Sequence, residues 1–166
     1  MKTTAFFTRI LSWLTGNKLT VDNSVVRELD LDRFLGSWYE VARFDHFFER
    51  GMSQTKANYV LRDDGNIDVI NTGIKDGRPK TAKGKAKRTD TPALLRVSFF
   101  GPFYSDYRIM LVDADYRYML IGSGSDDYLW ILSRTPQLAD TDRTVLLNEA
   151  KRRGYDTDKL IWVKQD

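Results

Sequence analysis

The 166-residue chain has no cysteine and a single histidine. Without thiols there is no disulfide framework, no thiolate zinc site and no cysteine nucleophile. Redox state therefore gives no clue to compartment. One imidazole excludes multi-histidine metal sites. It also leaves His46, despite nearby Asp45 and Glu49, without the co-ligands or nucleophile that a metal centre or a triad requires. No apolar run approaches the ~20 residues of a membrane-spanning helix, so a polytopic helical membrane protein is excluded. What remains is 42% hydrophobic and 30% charged, the balance of a globular domain. The length suits one domain with a core large enough to need no covalent staple.

The net charge is +3, and its excess is local. Residues 75–88 (KDGRPKTAKGKAKR) carry seven Lys or Arg against one Asp, which leaves −3 for the rest. Such a stripe suits a lysine-solubilised edge strand or attraction to an anionic membrane surface. No aromatic residue interleaves within it, so the stacking platform of a nucleic-acid site is missing and no nucleic-acid partner is expected.

Residues 1–24 read as a leader ahead of a domain spanning 25–166. Ala5-Phe6-Phe7 and Ile10-Leu11-Ser12-Trp13-Leu14 resemble a weak export signal interrupted by Arg9. Leu14-Thr15-Gly16 matches the start of a lipoprotein lipidation box, but Asn17 stands where the acylated Cys belongs, so lipidation is impossible there. Phe6, Phe7, Ile10, Leu11 and Leu14 also recur at helical spacing, as in an interfacial helix, and a passive tail is the third reading. Residues 15–30 are polar and read as a linker.

From Ser37 onward the chain reads as short strands between turn signals. They run Ser37–Asp45, Gln54–Arg62, Ile67–Ile74, Lys80–Arg88, Leu94–Phe100, Tyr107–Val112, Tyr116–Gly122 and Asp127–Arg134. Asp63-Asp64-Gly65-Asn66 is a hairpin turn rather than a calcium loop, since the terminal Glu is missing. Asp126-Asp127 also falls in a turn and needs no acid–base role. Lys83, Lys85 and Lys87 share one strand face and Ala82, Gly84 and Ala86 the other, so small residues point inward and leave room inside. Ala57, Tyr59 and Leu61, and likewise Leu95, Val97 and Phe99, line a common interior. A helix follows, capped by Asp140 or Thr141, buried through Val145, Leu146, Leu147 and Ala150, and stopped at Gly154. Leu160–Val163 is a last short strand. The expectation is an all-β, eight-stranded antiparallel up-and-down β-barrel with one C-terminal α-helix and a short ninth strand.

Gly36-Ser37-Trp38 at the first strand, Asp115-Tyr116 between two late strands and Arg134 at the end of the eighth resemble the three motifs of the lipocalins. Ala114 replaces the Thr of the second motif. Leu35–Phe44, Phe47–Gly51, Val97–Phe103 and Tyr128–Pro136 are similar to the bacterial outer-membrane lipocalins related to apolipoprotein D, over about residues 25–164. The resemblance implies a carrier of fatty acids or lysophospholipids in the cell envelope, in some members a homodimer. It implies no enzyme activity and no cofactor or metal. Without a functional export signal the location would be cytoplasmic. It also implies that Arg134 stacks on Trp38 to close one end. Parity and resemblance together nominate Ala42, Phe44, Tyr59, Val69, Ala86, Val97, Phe99, Tyr107, Ile109, Tyr118 and Trp130 as the cavity lining. Phe47 and Phe48, beside His46, are placed to gate the cavity or touch a membrane. The rival readings are a lipid-acting barrel enzyme, which needs polar groups inside, and a surface module using the basic stripe.

Overall fold

The computed structural model describes residues 18–166. The export-signal, interfacial-helix and lipidation readings of residues 1–17 lie outside them. A one-turn helix α1 (Leu31–Phe34) precedes eight strands: β1 (Gly36–Phe44), β2 (Ser53–Leu61), β3 (Ile67–Lys75), β4 (Arg78–Arg88), β5 (Leu94–Phe100), β6 (Phe103–Val112), β7 (Tyr118–Gly122) and β8 (Leu129–Ser133). Helix α2 (Asp140–Arg152) and β9 (Leu160–Trp162) follow. Each strand pairs antiparallel with its chain neighbour, and β1 pairs with both β8 and β2, so the sheet closes into a barrel. Closure removes most of the free edge that an open sheet would expose.

The closure is uneven. β1 pairs with β2 only through Gly36–Tyr39, while Ala42–Phe44 pair with β9. The gap between β1 and β2 is laced by the C-terminal tail. Gln54 N donates to Lys164 O (2.6 Å), and Gln165 Nε2 donates to Glu40 O (2.6 Å) and Thr55 O (3.2 Å). On the opposite wall β4 pairs with β5 only over Lys85–Arg88. The barrel is thus tight at one end and splayed at the other. The edge-strand reading of the basic stripe holds for half of β4: Arg78–Gly84 lack a β5 partner. The lysines face outward as alternation predicts. Lys87 Nζ lies 4.3 Å from the Tyr104 ring centre, so an aromatic of β6 does flank the stripe.

The tight end is sealed by α1 and Trp38. Trp38 is fully buried, and its Nε1 donates to Phe34 O (2.7 Å). The Arg134 guanidinium lies 3.7 Å above the indole and donates to Ser37 O (2.9 Å), Leu35 O (3.0 Å) and Arg33 O. Gly36 adopts φ +96°, a conformation that a side chain would strain, beside this guanidinium. Tyr116 OH accepts from Asp30 N (2.7 Å), and Asp113, rather than Asp115, collects the turn's hydrogen bonds.

Two cores result. One fills the lower barrel with Phe34, Trp38, Ile67, Ala86, Leu95, Ile109, Met119 and Ile121. The other lies between the outer wall and α2, with Ala42, Phe44, Tyr118, Leu120, Leu146 and Ala150. α2 starts at Asp140 with Ala139 in the N-cap position and no side-chain cap, so neither Asp140 nor Thr141 caps it as expected. Leu146 and Ala150 carry its buried stripe, while Val145 is exposed. Gly154, at φ +99°, ends it.

Residues 18–24, read as part of the leader, are tied to the barrel. The Asp126 carboxylate accepts from Thr20 N (2.8 Å), Thr20 Oγ1 (2.6 Å) and Val21 N (3.2 Å). Arg153 donates to Asp22 O (2.9 Å), Ser24 O (2.8 Å) and Met110 O (2.9 Å), and Val21 is buried. The carboxylate of that turn is therefore a clamp.

Candidate functional site

The splayed end opens into a cavity with two lobes. The inner lobe is narrow, about 70 Å³, and lined by Ala57, Tyr59, Val69, Val97, Phe99, Tyr107, Ile121, Trp130 and Leu132 among others. The outer lobe, about 500 Å³, carries Met52, Thr55, Ala82, Phe99 and Phe100 and a rim of Lys56, Lys75, Asp76 and Lys80. Its volume falls in the ~300–1,000 Å³ range of small-molecule sites. Both lobes share Glu40, Phe48, Glu49, Asn71 and Phe99. The floor is aromatic. Tyr59 and Tyr107 share a 2.8 Å hydroxyl–hydroxyl bond, and Phe34 packs beneath Tyr59 at 4.7 Å. Burial pushes both phenols above their usual range, so they stay neutral.

Of the nominated residues, Tyr59, Val69, Val97, Phe99, Tyr107 and Trp130 line the cavity. Ala86 and Ile109 face inward but lie in the packed core rather than on the cavity wall. Ala42, Phe44 and Tyr118 are corrections, because they sit in the outer core under α2. In β1 the cause is a bulge between Glu40 and Ala42, where an extra residue reverses the alternation. Trp38 and Glu40 face in, but beyond the bulge Arg43 faces in and Ala42 and Phe44 face out. In β7 every residue is buried, on one face by the barrel and on the other by α2, so polarity does not mark the inner face. Leu61, expected inside, is exposed near the end of β2. The space at Gly84 is occupied: a Cβ there would lie 2.7 Å from the Phe99 ring and 2.5 Å from Ser98 O.

The largest departure is a buried polar cluster on the cavity wall, where the sequence had suggested none. Arg43, 1% exposed, reaches Glu40 Oε1 at 3.0 Å and Glu49 Oε2 at 3.7 Å, and donates to Glu49 O (2.8 Å) and Met52 O (3.2 Å). It thereby holds the β1–β2 loop down over the cavity. His46 Nε2 lies 3.2 Å from Glu49 Oε1, and the Trp130 indole donates to the same oxygen (3.4 Å). Phe48 packs at a tilt on the His46 ring, with centroids 3.7 Å apart, and lines both lobes.

The two carboxyls are driven apart. Burial, then the charge of Glu49 and the hydrogen bond with it, push Glu40 well above the usual carboxylate range, with Arg43 opposing. Burial also pushes Glu49 up. His46, Glu40 and Arg43 outweigh it and bring Glu49 down to about 2. One proton shared unequally between two buried carboxyls is the familiar result of like charges in one site. The signal that could have found Glu40 was its parity with Trp38. Glu49 and Arg43 carried no such signal, since a loop and a bulge place them.

Residues 29–165 match the lipocalin-like domain family. The chain is a lipocalin. Its sequence is 51% identical over 146 residues to the outer membrane lipoprotein Blc of Citrobacter freundii, covering 86% of this chain and 82% of that protein. It is 33% identical over 152 residues to mouse apolipoprotein D, covering 85% and 79%. Lobster apocrustacyanin A1 shares the fold, with a TM-score of 0.71 at 21% identity over 92% of this lipocalin and 91% of that chain. Lipocalins are binding proteins that take small hydrophobic molecules.

Proposed function

We propose that this lipocalin binds one single-chain lipid, a fatty acid or a lysophospholipid, and stores or carries it in the bacterial envelope without chemical turnover. The observation that carries the reading is the two-lobed cavity, with an apolar, aromatic inner lobe below a wider outer lobe rimmed by lysines. An acyl chain fills the outer lobe and sends its end into the inner one, and a polar head stays at the lysine rim. Each buried methylene contributes about 0.8 kcal/mol. A sixteen-carbon chain therefore gains on the order of 10 kcal/mol before ordering costs, enough for micromolar binding without a charged anchor. The envelope assignment rests on the outer-membrane relatives. With no cysteine to acylate, contact with the membrane is peripheral in this reading.

The test is a titration of a fatty acid and a lysophospholipid, followed by the fluorescence of Trp130 in the cavity wall. Saturable binding that is indifferent to salt and loses its signal in Trp130→Phe supports the proposal. Binding that vanishes at high salt transfers the role to the basic face.

A further inference from the structure

One stretch of strand backbone beside the cavity has a partner on one side only. β4 runs inward from the splayed end, and over Arg78–Gly84 it pairs with β3 but not with β5. The β3–β4 turn has Asp76 and Gly77 at φ 52° and 72°, the two-residue hairpin form in which the flanking Lys75 and Arg78 are a hydrogen-bonded pair. Alternation then directs the peptide groups of Lys80, Ala82 and Gly84 toward β3, and those of Thr81 and Lys83 away from it. Lys85 and Lys87 share that second parity and meet Ser98 and Arg96 of β5. β5 does not reach Thr81 and Lys83 because it bends away. Its register with β6 shifts between Val97 and Phe100. Phe100 N donates to Ser98 Oγ (3.3 Å), which donates to Gly101 O (2.9 Å). Arg78–Lys83 are exposed, so this edge is open to an incoming chain.

Lys80, Thr81 and Ala82 also line the outer lobe, so the open edge adjoins the place where the head of a bound lipid emerges. We infer that this edge takes an extended peptide, and that the cavity therefore prefers an N-acyl peptide with an acidic side chain to the free fatty acid of equal chain length. The inference rests on the lipid-carrier reading of the same cavity. Chain direction agrees with it. A ligand inserted acyl end first leaves its peptide running from N to C terminus toward the splayed end. β4 runs the opposite way, so the two are antiparallel, and the ligand continues the line that β5 leaves. Ligand residues facing Thr81 and Lys83 exchange backbone bonds with each. Charge selects the partner. Lysines on an edge normally keep further strands away. Here Lys80, Lys83 and Lys85 repel a basic strand and attract an acidic one. A free fatty acid meets the same lysines but leaves the edge unpaired.

The experiment displaces the neutral fluorophore N-phenyl-1-naphthylamine from the full chain with four ligands, at low and high salt. They are decanoate, decanoyl-Ala-Glu-Ala amide, the same compound with its peptide nitrogens methylated, and decanoyl-Ala-Lys-Ala amide. Methylation keeps the acyl chain and the charge but removes the N–H donors. The expected result is displacement by all four, with the acidic peptide about tenfold tighter than its methylated form and than decanoate. Its advantage over the lysine peptide should shrink with salt, and its advantage over the methylated form should not. Thr81→Pro removes one N–H from the edge and should cut the ratio to the methylated form several-fold. Amide hydrogen exchange on the unaltered chain is the second readout: the acidic peptide should slow Thr81 and Lys83, and decanoate should not. If decanoate displaces the probe but methylation costs nothing, or if the two amides stay unprotected, the edge site is overturned and the carrier stands. If none of the four displaces the probe, the carrier reading and this inference fall together.

Discussion

Replacing Arg43 with Met tests whether the wall cluster is one electrostatic unit. Met fills much of the same volume but leaves Glu40 without its 3.0 Å partner, Glu49 without the cation at 3.7 Å, and the carbonyls of Glu49 and Met52 without donors. Removing one member of a buried ion pair typically costs about 3–5 kcal/mol, mostly the penalty of the charge left behind. For a chain of this size each kcal/mol moves the melting temperature by about 2–4 °C, so a drop of about 10 °C is expected. The assay is urea and thermal unfolding followed by circular dichroism. Adding Glu49→Gln to the variant should recover part of the loss, because the uncompensated charge is then gone. Lowering the pH toward about 5 should likewise narrow the gap to the wild type as the freed carboxyls protonate. A loss below about 1 kcal/mol, or no recovery in the double variant, refutes the reasoning.

The pH profile of the wild type follows from the same pair. The folded-state pKa of Glu49 lies below its unfolded value of 4.5, so its contribution is present above pH 4.5 and is lost as pH falls toward 2. The folded-state pKa of Glu40 is raised, so stability declines as pH rises above 4.5 through that value. Glu40→Gln keeps an acceptor for Arg43 and should abolish the decline, read as a urea midpoint that no longer falls between about pH 5 and pH 8. Arg134→Ala loses the Trp38 stack and the carbonyl bonds to α1. The partly buried site tempers the cost to about 2–3 kcal/mol in thermal unfolding, with lipid affinity unchanged because Arg134 lies at the tight end and lines neither lobe of the cavity. Gly84→Ala pushes a methyl group against the Phe99 ring and Ser98 O. It should cost about 1–3 kcal/mol by overpacking and weaken ligand binding by displacing a ring shared by both lobes.

Where one face of a strand is wet, its sequence told the inside from the outside. The lysines of β4, the Ala57–Tyr59 pair of β2 and the Val97–Phe99 pair of β5 fell on the expected faces, and parity together with the family resemblance supplied six residues that line the cavity. It failed where parity itself was broken or hidden. The β1 bulge reversed Ala42 and Phe44 and turned Arg43 inward, and a bulge announces itself by pairing, not by composition. β7 is covered on both sides, so Tyr118 looked as interior as Met119. The polar cluster was invisible for a related reason: its four members come from a strand, a bulge and a loop, and only the fold brings them together. The N-terminal boundary was read from polarity alone. Thr20, Asp22 and Ser24 are not a free linker: Thr20 bonds Asp126 through its backbone N and its hydroxyl, and the carbonyls of Asp22 and Ser24 accept from Arg153.

The most direct test of lipid carriage is calorimetric titration of a sixteen-carbon lysophospholipid, kept below its micellar concentration, at several temperatures and two salt concentrations. Burial of the acyl chain predicts one ligand per chain, a clearly negative heat-capacity change and an affinity that salt leaves nearly unchanged. A heat-capacity change near zero, or binding that disappears with salt, would contradict it.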